Sequence, residues 1–272
     1  MTGEILRRPD ALTLAAIAAA AYAISAFAHE ALGHGGACVL LGCRPQLLTS
    51  MSFDGDASLL PASATRIIAA GGSIVNVIIA LAGFLWLRRI PASRPAMWFF
   101  CWLLATVSLL QATGYLMFSG LGGVGDWAVV VEGLPGGGMW RAILAVAGGV
   151  SYWLAVRYSM QVIGSRLTSA ATQRAREAYG YTMLAYFVGG GLGLVGGLFD
   201  PNAAAILLIS GVAAALGGTS GLLWGPQLLR NPTFVSPSTP MPPLQRSVPW
   251  IVIGAIAALV HIVVLGPGLH FS

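Results

Sequence analysis

The chain has 272 residues, 57% of them hydrophobic and 8% charged, with a mean hydropathy of +0.80. A soluble domain carries about 25% charged residues, so the composition excludes an ordinary soluble globule and indicates an all-α polytopic membrane protein. The net charge of +5 does not indicate nucleic acid, because most of its fourteen basic residues, all arginine, stand in short loops between apolar runs.

A membrane helix needs about 20 mostly apolar residues. Seven stretches qualify: about 11–41, 62–88, 96–118, 139–163, 180–199, 202–224 and 248–268. Arg7 and Arg8 ahead of the first stretch resemble the start of a signal peptide. The apolar run is too long for one, and it is read as a retained helix. With the N-terminus in the cytoplasm, eleven arginines fall inside and only Arg44, Arg66 and Arg141 outside, the bias that sets orientation. The expected placement is therefore multi-pass in a plasma (inner) membrane, N-terminus in and C-terminus out. The richness in arginine, alanine and glycine points to a bacterium.

The first stretch contains Ala28-His29-Glu30-Ala31-Leu32-Gly33-His34-Gly35. A charged group at a bilayer centre costs about 2.5–3.5 kcal/mol, so this cluster is a candidate functional site. Cys38 and Cys43 follow. They could pair near a membrane edge, although small apolar residues in packed helices are the favoured reading. The link Arg44–Asp56 contains Asp54-Gly55 between short alternating runs, a hairpin signal. A small β-hairpin is expected, with Asp54 and Asp56 as turn residues and calcium binding as a lesser option.

The second stretch opens Ala69-Ala70-Gly71-Gly72-Ser73-Ile74-Val75-Asn76. Its glycines allow close helix approach, and on its own Asn76 reads as an amide bonded to a neighbouring helix. The third ends in a glycine-rich run before Asp126-Trp127. Irregular backbone at membrane depth survives only where protein or a water-filled cavity covers it; alone, Asp126 reads equally as a helix cap or a ligand. Small-residue faces run through Gly189, Gly193 and Gly197 and through Gly217, Gly221 and Gly225. The link 225–249 holds seven prolines and is expected to be extended and mobile. His261 reads as a packing histidine, and His270 is near the C-terminus.

Zinc hydrolases place two histidines at i and i+4 of a helix with a glutamate after the first; the histidines bind the metal and the glutamate takes a proton. Here His29 and His34 are five apart. In a regular α-helix i+5 leaves the two side chains about 140° apart, against about 40° for i+4. A bulge or unwound turn at 30–34 is thus a requirement of metal binding. A third ligand and an open position are also needed, and Asp126 is the best candidate. His29 lies about 27 Å along an outward helix, and Asp126 follows the outward end of the third, so both reach the same part of the membrane. Two histidines and a carboxylate suit zinc and also iron(II).

Three separated pieces of the chain resemble the site-2 protease family of intramembrane zinc metallopeptidases. His29-Glu30-Ala31-Leu32-Gly33-His34, followed by Gly42, is similar to that family's H-E-x-G-H helix and trailing glycine turn, with one residue inserted. Ala70-Gly71-Gly72-Ser73-Ile74-Val75-Asn76 resembles its A-G-P-x-x-N motif, with Ser73 where proline is common. Gly125-Asp126-Trp127 resembles the segment of the third ligand, with tryptophan where glycine usually follows. The resemblance covers a three-helix core within residues 1–135 and leaves the four further helices of 136–272 without a role. It implies Zn2+ on His29, His34 and Asp126, Glu30 as general base, and Asn76 holding the substrate or the developing oxyanion. It also implies a transmembrane protein substrate in the lipid bilayer, pairing with the hairpin as an added strand. The expected function is zinc-dependent intramembrane endopeptidase; the alternatives are a non-catalytic relative that binds or escorts membrane proteins, and a metal transporter.

Overall fold

The computed structural model describes residues 9–168, 170–202, 207–235 and 240–271. Asp10 begins the first helix, α1 (Ala11–Leu41), by accepting the Thr13 backbone N–H at 2.9 Å. That bond holds its carboxyl below the usual carboxylate range, so the cap is complete at neutral pH and is lost only as pH falls through the lowered value. Gly42, with φ of 83°, ends the helix in the left-handed conformation that glycine adopts without strain. There follow β1 (Arg44–Leu48), β2 (Phe53–Asp56), α2 (Ala62–Leu87), α3 (Pro95–Gly122), a short α4 (Asp126–Val131), α5 (Gly137–Gly164) and α6 (Ala171–Leu198). The chain closes with α7 (Val248–Val264) and β3 (Leu269–His270).

Helices α1, α2, α3, α5 and α6 are long and apolar enough to cross a membrane. Of the other two expected stretches, 202–224 contains a π-helical segment, Leu207–Gly217, and a single turn, Gly221–Trp224, while 248–268 contains the shorter α7. Hydrogen bonds mark where these stretches begin and end. The Ser52 hydroxyl donates to Asp200 beside the hairpin, whereas Arg174, near the start of α6, donates to the carbonyls of Leu229 and Asn231. Asp10 donates its backbone N–H to Leu244 and pairs with Arg246, whereas Ser50 donates its backbone N–H to Leu265.

Helix α1 lies at the centre, with Leu14, Ile17, Ala18, Ala20 and Ala21 fully buried. Its small side chains let neighbours approach: Gly254 of α7 meets the Ala16 backbone, and Gly189 of α6 meets the Tyr22 ring. Trp98, Phe99, Trp102 and Leu103 of α3 belong to the same core. The proline-rich link is packed rather than extended. It forms two short 3-10 turns, Gly225–Arg230 and Pro232–Phe234, and buries Leu229, Phe234, Met241 and Leu244; residues 236–239 lie outside the described range.

The hairpin exists, but its turn is not at Asp54-Gly55. The chain reverses at 49–52, where the Thr49 hydroxyl accepts the backbone N–H groups of Met51 and Ser52, a hydroxyl-closed turn. Asp54 pairs with Leu47 inside the sheet. Gly55 is a strand glycine for a different reason: a methyl there would lie 2.7 Å from Cys43 Sγ and 2.9 Å from Cys38 Sγ, a close approach of the kind strand glycines mark. Those two sulfurs form a disulfide, which corrects the reading of both as packing residues. The pair staples the end of α1 to the start of β1. The sheet has the order β2-β1-β3, so the strand Leu269–His270 covers one edge of β1 and leaves β2 at the margin.

Candidate metal centre

The irregularity that the His29–His34 spacing requires is present: Ala28–Gly35 is π-helical within α1. In a π-helix bonds run from i to i+5, so residues five apart stack on one side. The helices α1 and α2 cross at this turn. Gly33 stands against Gly71 and Gly72 so closely that a β-carbon on any of the three would strike backbone or an imidazole.

Three ligand atoms converge there. His29 Nε2 is 3.1 Å from His34 Nε2 and 3.1 Å from Asp126 Oδ2, and His34 Nε2 is 3.5 Å from the same oxygen. Metal bonds of 2.0–2.2 Å at tetrahedral angles put ligand atoms about 3.3–3.6 Å apart. The observed triangle is close to that size, so His29, His34 and Asp126 could hold a metal ion. Gly72 keeps the space clear: a methyl there would sit 2.5 Å from His29 Nε2 and 2.6 Å from His34 Nε2.

Both outer ring nitrogens are also engaged, the arrangement that orients metal-binding histidines. His34 Nδ1 donates to the Ile68 carbonyl at 2.8 Å, and His29 Nδ1 lies 3.1 Å from the Asn76 amide nitrogen. Asn76 is 0% exposed. It stands behind the His29 ring, away from anything entering from outside.

Asp126 is delivered by a backbone that needs glycine. Gly123 and Gly125 have φ of 68° and 83°, which turn the chain sharply between α3 and α4. The next residue fixes the result: the Trp127 indole N–H donates to Ser73 Oγ of α2 at 3.0 Å. Ser73 and Trp127 are two of the positions where the chain departs from the site-2 protease pattern, and here they bond to each other. Neither was expected to matter; their joint departure from the pattern is the one signal that could have flagged them.

A cleft of about 380 Å³ opens onto the cluster, lined by Glu30, His34 and Asp126 together with Phe53, Asp54 and Gly55 of β2. Glu30 makes no hydrogen bond to another described side chain, and Asp54 joins the cleft wall from a strand rather than a turn. His261 and His270 are elsewhere: His261 is buried in α7, and His270 pairs with Leu47 in β3. Compared with protein-family models, curated proteins and solved structures, the chain matches none.

Proposed function

We propose that the chain is a zinc-dependent intramembrane endopeptidase cutting transmembrane segments of other membrane proteins. The observation that carries this reading is the convergence of His29, His34 and Asp126 at tetrahedral ligand spacing, at a cleft that Glu30, His34 and Asp126 line. Zinc held by those three side chains would supply a Lewis acid and an acidified water. Glu30, free of side-chain bonds among the described residues, would take a proton from the attacking water and return it to the leaving amine as the C–N bond breaks.

Strand β2 is at the sheet margin and lines the cleft, which supports substrate binding by strand addition. Only an unwound segment can pair this way, since a helix already uses its own backbone groups. The five-residue histidine spacing, the main argument for a non-catalytic relative, loses its force because the π turn absorbs the extra residue.

We read the stretches 202–224 and 248–268 as crossings too, seven in all, because their bonded ends lie with opposite ends of the bundle. The arginine distribution then puts the N-terminus in the cytoplasm and the cleft toward the outer side of a bacterial plasma membrane. The Cys38–Cys43 disulfide, at the hairpin end, suits that oxidising side.

Mapping of new protein N-termini in membranes of a bacterium expressing the chain tests the activity. Cuts within transmembrane segments are expected with wild type and reduced at least about 100-fold with Glu30→Gln. Equal cutting by both, or none by zinc-loaded wild type, would refute the proposal.

A further inference from the structure

The Asn76 amide nitrogen lies 3.1 Å from His29 Nδ1, and of these two atoms the amide always has hydrogens to give. It therefore donates, Nδ1 accepts, and Nε2 faces Asp126 Oδ2 at 3.1 Å. His34 is held the other way: its Nδ1 donates to the Ile68 carbonyl, an acceptor that suits a ring binding metal through Nε2. One histidine thus has an acceptor behind it and the other a donor.

A metal needs the lone pair of His29 Nε2, and the ring must then hold its proton on Nδ1. That proton requires an acceptor, since a buried donor without one is strongly disfavoured. The nearest group is Asn76, whose Oδ1 is buried and has no hydrogen-bond partner among the described residues. A half-turn of the carboxamide exchanges its oxygen and nitrogen in nearly the same volume and brings Oδ1 onto Nδ1. We infer that Asn76 is a positioning residue for His29, its carboxamide turning to select the metal-binding tautomer, rather than a group that touches substrate. Its complete burial behind the ring agrees with that role. The inference rests on the metal-binding reading above.

Zinc titration of the full-length protein in detergent, against a competing chelating indicator, tests it. Asn76→Leu removes the acceptor and is expected to weaken zinc about 10–100-fold, the usual effect of losing an outer partner of a ligand histidine. Asn76→Asp, which accepts but cannot donate, is expected to bind zinc at least as tightly as wild type and to retain cleavage. A residue donating to a substrate oxyanion gives the reverse pattern: both variants bind zinc normally, and Asn76→Asp is inactive when loaded. That result, or loss of zinc from Asn76→Asp, would overturn the inference. Should Asn76→Leu fail to fold, the affinity and activity of Asn76→Asp decide alone. Wild type that binds no zinc would sink the metal reading itself, whereas wild-type binding matched by Asn76→Leu would sink only the role of Asn76.

Discussion

Two π-helical segments of this protein carry buried histidines, and they differ in everything else. In Ala28–Gly35 all four ring nitrogens of His29 and His34 have partners. In Val260–Val264 neither ring nitrogen of His261 has one among the described residues. Five positions either side of His261 stand Ile256 and Gly266, so its wider turn stacks nothing polar against it. A third π-helical segment, Leu207–Gly217, contains no histidine at all. A wide helical turn therefore marks no site by itself. Ala28–Gly35 differs in that it aligns two histidines, a glycine on the next helix leaves room between them, and a third segment delivers an acid, a set that could hold a metal ion.

The largest break in this comparison is expected from Gly72→Ala. Its methyl would occupy the space between the two imidazoles, and bound zinc should fall from about one per chain to none, as elemental analysis of the purified protein would read. Unaltered zinc would mean that the converging atoms are not the ligands. A smaller effect is expected from Trp127→Phe, which keeps the ring and removes the bond to Ser73. Zinc affinity should drop about tenfold or less, the value of one hydrogen bond. Ser73→Ala should match it, and the double variant should be no worse than either single one; additive losses would show that the two residues act separately. The smallest is expected at the other histidine. His261→Leu should leave zinc content unchanged and raise the melting temperature by about 2–4 °C, because it removes a buried polar ring without partners. Loss of zinc would join α7 to the site and abolish the contrast.

Much of the centre was legible because helix geometry is arithmetic. A five-residue spacing cannot aim two rings at one ion in an α-helix, so His29 and His34 demanded a wider turn. Counting residues along antiparallel crossings brought Asp126 to the depth of His29. Other features depend on which distant residues meet, and no local period encodes that. Gly55 looked like a turn residue because Asp-Gly commonly is one, whereas it answers to a disulfide packed against it. The strand Leu269–His270 is too short to carry alternation. Asn76 was assigned to the substrate by likeness to a family, and only its contact with His29 Nδ1 shows which way its amide is engaged. The Ser73–Trp127 bond joins residues that are unremarkable in their own segments.

The three-stranded sheet also sets an order of events in the life of the chain. Strand β1 is made early, but its partner β3 and the Leu265 carbonyl that holds Ser50 come more than 200 residues later. At about 5–20 residues per second, synthesis needs on the order of 10–40 s to travel from the hairpin to that strand. During this interval β1 has one open side, and the loop bearing Met51 beside the cleft lacks its anchor at Leu265. A nascent chain thus holds its histidines and its glutamate well before the wall of the cleft is fastened, and maturation of the site waits for β3 to be made.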